Sequence, residues 1–507
     1  MTGSPLDRVY LSRRAFVAAA VAGGFALAGC GRSTRPPTST PTSLEAAIVA
    51  AEAARPHTGR TVTAALTAQP VTIDLGGPVA RTLAYGTGIP GPLIRANVGD
   101  ELAVSVGNRL NHPTSVHWHG IALRNDMDGA EPATPNIDAG RDFTYRFSSP
   151  HGGTYWAHPH TGLDADYGLY LPIIIDDPTE PDRYDAEWIV VLDDWTDGIG
   201  KTPQQLYDDL TGKAKPAGDN MPGMSGMSEM AMSGVGTSAL LGGDAGDISY
   251  PYYVINGRIP AAPTTFTAKP GQRIRIRIIN AGSDTAFRVA LAGHPMTVTH
   301  TDGYPVQPTE VDALLMGMGE RYDVIVTAGD GVFPLVALAE GKNALARAVL
   351  STAAGTTPDP GFLPAELNGR LGTADIFAAT PADDLGSAKP DTTLNAELSG
   401  SMMPYDWKIN GHAFADRQPL PIRQGQRATL TFNNTTSMWH PMHLHGHTFQ
   451  VVKPDGSPGP RKDTVIVLPK QKVSVTLVAD NPGIWMIHCH NTYHQEAGMM
   501  TTLNYTT

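Results

Sequence analysis

The chain has 507 residues, with 37 Lys and Arg against 49 Asp and Glu, a formal charge of −12 at pH 7. That length supplies several buried cores and excludes a peptide or small disulfide scaffold, and the negative charge opposes a nucleic-acid-binding surface. Charged residues are only 17%, while 54 Gly and 42 Pro punctuate the chain, a balance that points to turn-rich β structure and excludes coiled coil.

In chain order, Arg8, Arg13 and Arg14 precede an apolar stretch from Ala15 to Ala28, short for a membrane span and suited to an export signal over residues 1–29. Ser12-Arg13-Arg14-Ala15-Phe16 has the look of a twin-arginine signal, and Leu27-Ala28-Gly29-Cys30 that of a bacterial lipobox. Cys30 is therefore expected to carry lipid, with residues 30–57 as a flexible tether and the body held on the outer side of the cell membrane or in the periplasm. A monomer is expected.

Three later segments share one pattern: VGDELAVSVGNRL (98–110), PGQRIRIRIINAG (270–282) and QGQRATLTFNNTT (424–436). Each opens on a Gly turn, alternates with period two and reaches Asn, as a half-buried strand does. The spacing is domain-sized, so three related β-sandwiches are predicted: 58–180, 181–355 and 396–507, with 356–395 as linker. Within the second lies a Met-rich loop at about 211–247, where Met221, Met224, Met227, Met230 and Met232 fall inside twelve residues without aliphatic partners. Thioethers are soft ligands that select Cu(I), so these methionines read as a cuprous-ion collector.

The first unit carries His117 and His119, then His158 and His160; the third carries His443 and His445, then His488 and His490. Aligned on Gly120, Gly446 and Gly293, the second unit has Ala290 and Ala292 at the first pair of positions. Aligned on Gly153, Gly483 and Gly331, it has Val336 and Leu338 at the second. The fold thus does without histidine at these places, and the eight imidazoles are explained by something they bind. Residues two apart on a strand face one side, so each His-x-His aims two imidazoles at one point, a set that suits Zn, Cu, Fe or Ni. Softness separates these metals. Cys489, His494 and Met499, with His440, form the two-His, one-Cys set with a weak Met ligand that characterises blue copper, whereas zinc does not call for Met.

The motifs HWHG, HPH, HPMHLHGH and HCHNTYHQEAGM resemble the four copper motifs of the multicopper oxidases, the laccase family, and the likeness extends over nearly all of residues 58–507. It implies an all-β fold of three cupredoxin-like Greek-key domains and four copper ions. His440, Cys489, His494 and Met499 would hold type 1 copper, and His117 and His443 type 2. His119, His158 and His490 would hold one type 3 copper, and His160, His445 and His488 the other. His447 falls outside that set, and its counterpart His294 persists in the unit without paired imidazoles, which favours a hydrogen-bonding role. The resemblance further implies one-electron oxidation of Cu(I), and of phenolic donors, coupled to four-electron reduction of O2 to water, in copper detoxification. Electrons would leave type 1 copper through Cys489, and Asp128 matches an acidic position that supplies protons. The acid that bacterial relatives carry after the type 1 histidine is Gln495 here, with Glu496 next as an alternative proton donor. A laccase-type phenol oxidase shares the same copper set, and a non-enzymatic copper-binding or electron-transfer protein would need only part of it.

Overall fold

The computed structural model describes residues 43–180, 183–213 and 235–506; Cys30, the export signal and the methionines of 221–232 lie outside the described residues. Among the described residues no helix is long and apolar enough to cross a membrane. Strands form three successive pairs of sheets, the cupredoxin-like arrangement expected. In the first pair, Glu101–Asn108 lies between Thr61–Asp74 and Asp142–Ser148, and the second sheet runs in the order Ile94–Asn97, Leu171–Asp176, Gly153–His158, His117–His119. The middle pair has two six-stranded sheets, one centred on Arg273–Asn280 and Arg321–Thr327, the other on Val332–Ala339 and Phe287–Leu291. The last has a six-stranded sheet around Arg427–Asn434 and a five-stranded one around Ile484–Cys489 and His440–Leu444.

The repeated segment holds the same place in all three. Glu101–Asn108, Arg273–Asn280 and Arg427–Asn434 each run parallel to the long strand before them and antiparallel to the one after. Each is entered through a left-handed glycine: Gly99, Gly271 and Gly425 have φ of 80°, 82° and 82°. Each ends in a buried Asn. The Oδ1 atoms of Asn108, Asn280 and Asn434 accept from the N–H two residues on, at 2.9, 3.0 and 2.9 Å. Their Nδ2 groups donate to the carbonyls of Ile137, Met316 and Val467 at 2.8, 3.1 and 3.1 Å. One side chain thus closes the turn and ties it to a second backbone segment, satisfying polar groups that burial would otherwise leave costly.

Candidate metal centres

Strand pairing decides which imidazoles meet. His117 stands opposite His158 and His443 opposite His488, while the same register in the middle domain pairs Ala290 with Val336. Alternation along Ile484–Cys489 sends Cys489 to the face opposite His488. Cys489 therefore joins His440 and His494, while its chain neighbours His488 and His490 enter two other groups.

The structure brings together His119, His158 and His490; His160, His445 and His488; and His117, His119 and His443, the ligand atoms of each trio lying within 4.8 Å of one another. A separate trio, His440, Cys489 and His494, meets the same limit. There Sγ of Cys489 is 3.6 Å from Nδ1 of both His440 and His494, and those two nitrogens are 3.1 Å apart. Met499 is fully buried, and its main chain joins this trio: its carbonyl accepts from the N–H of Cys489 at 3.0 Å and its N–H donates to the His494 carbonyl at 2.9 Å.

The outer nitrogen of most of these rings is engaged and the inner one is not. Nδ1 of His117, His158 and His443 lies 2.9, 3.0 and 2.9 Å from the carbonyls of Asp128, Pro159 and Asp463, whereas Nε2 of each is buried with no hydrogen-bond partner. Both nitrogens of His160 are likewise unpartnered. A buried ring nitrogen left so costs about 1–3 kcal/mol, and a bound metal removes that cost. Burial, reinforced by neighbouring imidazoles, holds His158, His160, His440, His445, His488 and His490 well below the ordinary histidine range. It does the same to His119, where the Arg321 cation adds to it. Neutral imidazole is the metal-binding form. The donor set fits copper: thiolate and imidazole at one centre, imidazole alone at the other.

His494 differs from the rest. Burial alone would depress it, but the Asp247 carboxylate, 3.1 Å from Nε2, pushes it up to about 10. Asp247 also accepts from Tyr405 Oη at 2.6 Å, and its own N–H is held by Asp284, which Lys342 neutralises at 2.7 Å. Asp128 Oδ2 lies 2.8 Å from Nδ1 of His445, while Oδ1 is buried without a hydrogen-bond partner, 3.3 Å from Nδ1 of His117.

Glu496 corrects the expectation from sequence. The helix Thr492–Glu496 buries His494, and two residues further on the chain has turned about 200°, so Glu496 is exposed and takes no place among the histidines. Gln495 is buried. His447 has both ring nitrogens occupied, by the His445 carbonyl at 3.1 Å and Tyr505 Oη at 2.7 Å; His294 is held alike by the Ala292 carbonyl and the Gly329 N–H. Sequence reasoning passed over Asp463, Asp247 and Arg321. Each is a single residue outside any motif, and only the pairing of His443 with Thr464 would have pointed to Asp463.

Multicopper oxidase family models match residues 67–180, 186–355 and 388–507. The chain is 66% identical to the multicopper oxidase MmcO of Mycobacterium tuberculosis, over 99% of this chain and 98% of that one. This chain belongs to the multicopper oxidases. It is also 29% identical to copper resistance protein A of Escherichia coli, over 86% of this chain and 91% of that protein. The fold matches the crystal structure of Fet3p, a multicopper oxidase that functions in iron import, with a TM-score of 0.72 at 20% identity over 88% of this chain and 90% of that one. As a member of this family the enzyme is a copper-dependent oxidoreductase, and the histidine groups are where its copper can bind.

Proposed function

We propose that this multicopper oxidase oxidises Cu(I) outside the cytoplasm and reduces O2 to water with the electrons collected, as a copper-detoxifying enzyme. One observation carries the reading: Cys489 lies in the thiolate trio while His488 and His490, bonded to it through the chain, lie in two different imidazole trios. The backbone alone links a soft one-electron centre to both halves of a larger one. His440, Cys489, His494 and Met499 would hold type 1 copper, His117 and His443 type 2, and His119, His158, His490 and His160, His445, His488 the type 3 pair. Bound copper supplies one-electron acceptance at the first centre and four-electron reduction of O2 at the second. The protein supplies geometry and protons. Asp128 can hold a proton at Oδ1 within the buried cluster while Oδ2 keeps His445 oriented.

Cu(I) as the donor is supported by the five methionines of 221–232 and by the similarity to copper resistance protein A. Oxygen uptake with Cu(I) and with a simple phenol, before and after deletion of 221–232, tests it: Cu(I) turnover should fall selectively, and equal turnover in both proteins rejects the collector role. The parent should hold about four coppers; a single copper without a type 3 absorption band rejects the oxidase mechanism. Export and lipid attachment at Cys30 belong to the same proposal, and Cys30→Ser should move the protein from the membrane to the soluble fraction.

A further inference from the structure

The middle domain has no paired imidazoles, yet one of its side chains reaches the trinuclear histidines. Arg321 is fully buried and its guanidinium meets all three domains. Nε donates to the Thr154 carbonyl of the first at 3.1 Å, and Nη1 to the Gly319 carbonyl of its own domain at 3.0 Å. Nη1 and Nη2 form a two-pronged pair with Asp463 of the third, at 2.7 and 2.6 Å. Room for this pair exists only because residue 120 is Gly: a Cβ there would lie 2.2 Å from Arg321 Nη2 and 2.6 Å from Asp463 Oδ2, at a φ of 85°. The last letter of the His-Trp-His-Gly motif is thereby explained by a residue some 200 positions away.

Asp463 in turn touches two ligand histidines from different domains. Its Oδ1 lies 3.0 Å from Nε2 of His119, and its main-chain carbonyl lies 2.9 Å from Nδ1 of His443. These contacts set which nitrogen each ring turns inward. His119 presents Nδ1, 3.3 Å from Nε2 of His490, and His443 presents its unpartnered Nε2. The two rings stack with centroids 3.8 Å apart and planes 11° from parallel, so a shift of residue 463 moves both. Asp463 is itself fixed from the middle domain. Asp302 accepts from the N–H groups of Asp463 and Thr464, both at 3.1 Å, and from the N–H of Arg321 at 2.9 Å. The Arg321 guanidinium faces both carboxylate oxygens of Asp463 and offsets the cost of burying that charge.

We propose that Arg321 is a positioning residue for the trinuclear copper centre: by clamping Asp463 it fixes the ring orientation and donor nitrogen of His119 and His443. The metal-free domain is thus part of the copper site's frame. The inference rests on the four-copper reading, and copper counting on the parent protein tests that reading separately.

The test compares the parent with Arg321→Lys, Arg321→Met and Asp463→Asn, all copper-loaded and then challenged with a graded chelator. Lys keeps the charge and loses the fork; Met removes both. Total copper reports all centres, and the blue absorption reports type 1 copper alone. The expected result is blue absorption held at the parental level while the remaining copper is released at about 10–100-fold lower chelator, in the order Met, then Lys. The kcat should fall with the KM for the electron donor unchanged, because the donor is oxidised at the other centre. Chelator resistance equal to the parent's in both Arg321→Lys and Asp463→Asn overturns the proposal. So does parallel loss of blue and non-blue copper, which marks Arg321 as an interdomain staple only. If Arg321→Met does not fold, the Lys and Asn variants decide alone.

Discussion

His443 stands directly opposite His488 across the strand pair of the third domain, and the same two positions hold His117 and His158 in the first and Ala290 and Val336 in the middle one. Three copies of one cross-strand pair, one of them apolar, separate what the sandwich needs from what the metal needs. Replacing His117 by Ala and His158 by Val imports the middle-domain solution. The copper-free variant should differ from the copper-free parent by no more than about 1–2 kcal/mol, since two carbonyl contacts are lost and two unpartnered buried nitrogens removed. Copper content should fall well below the parental level. Calorimetry with metal counting checks it, and a copper-free variant that cannot fold would show these histidines to be structural.

The imidazoles and Cys489 are legible in the sequence because period-two spacing on a strand is a local property, and because the middle repeat supplies an apolar comparison. The residues that orient them are not local. Asp463 reaches His119 across 344 positions, Asp247 reaches His494 across 247, and Asp128 reaches His445 across 317. An Asp in a loop or at a strand end is ordinary, and only the packing of three domains gives these their neighbours. Glu496 shows the converse: two residues from His494 in sequence, it is turned to solvent by one half-turn of helix.

Asp128→Asn should keep the contact to His445 and abolish the carboxyl proton at Oδ1. Turnover should fall by about 100-fold or more, within the range for loss of a general acid, while copper content and the blue band stay at the parental level. Steady-state oxygen consumption and metal analysis on the same sample check it. Turnover within about twofold of the parent would remove Asp128 from proton supply.

Protonation links the same histidines to stability in the copper-free protein. Burial depresses His158, His160, His440, His445, His488 and His490 when folded, whereas the unfolded chain takes up these protons near pH 6.5. Their contribution is therefore fully present above that pH and lost as pH falls below it, each group adding about 1.4 kcal/mol per pH unit. His494, pushed up to about 10, runs the other way: its contribution is present below pH 6.5 and lost as pH rises toward 10. The copper-free Tm should thus climb steeply from about pH 5.5 to 6.5 and then decline more gently as the His494 contribution is lost. A Tm that is level across this interval would contradict neutral, buried imidazoles.

Asp247 places a carboxylate 3.1 Å from Nε2 of His494, on the side of the ring away from Cys489 Sγ, and shares it with Tyr405 at 2.6 Å. This orients the imidazole and would enrich the electron density it offers to a bound copper, which would favour the cupric state. Asp247→Asn preserves the shape and removes the charge, so the type 1 centre should be reduced more easily. Its potential should rise, with the blue band retained and the trinuclear copper unchanged. Asp247→Ala should add disorder of the ring and lower type 1 copper retention by about 10-fold or more. Redox titration of the blue absorption in both variants separates charge from geometry: an Asn variant with the parental potential would leave Asp247 only the task of holding the ring.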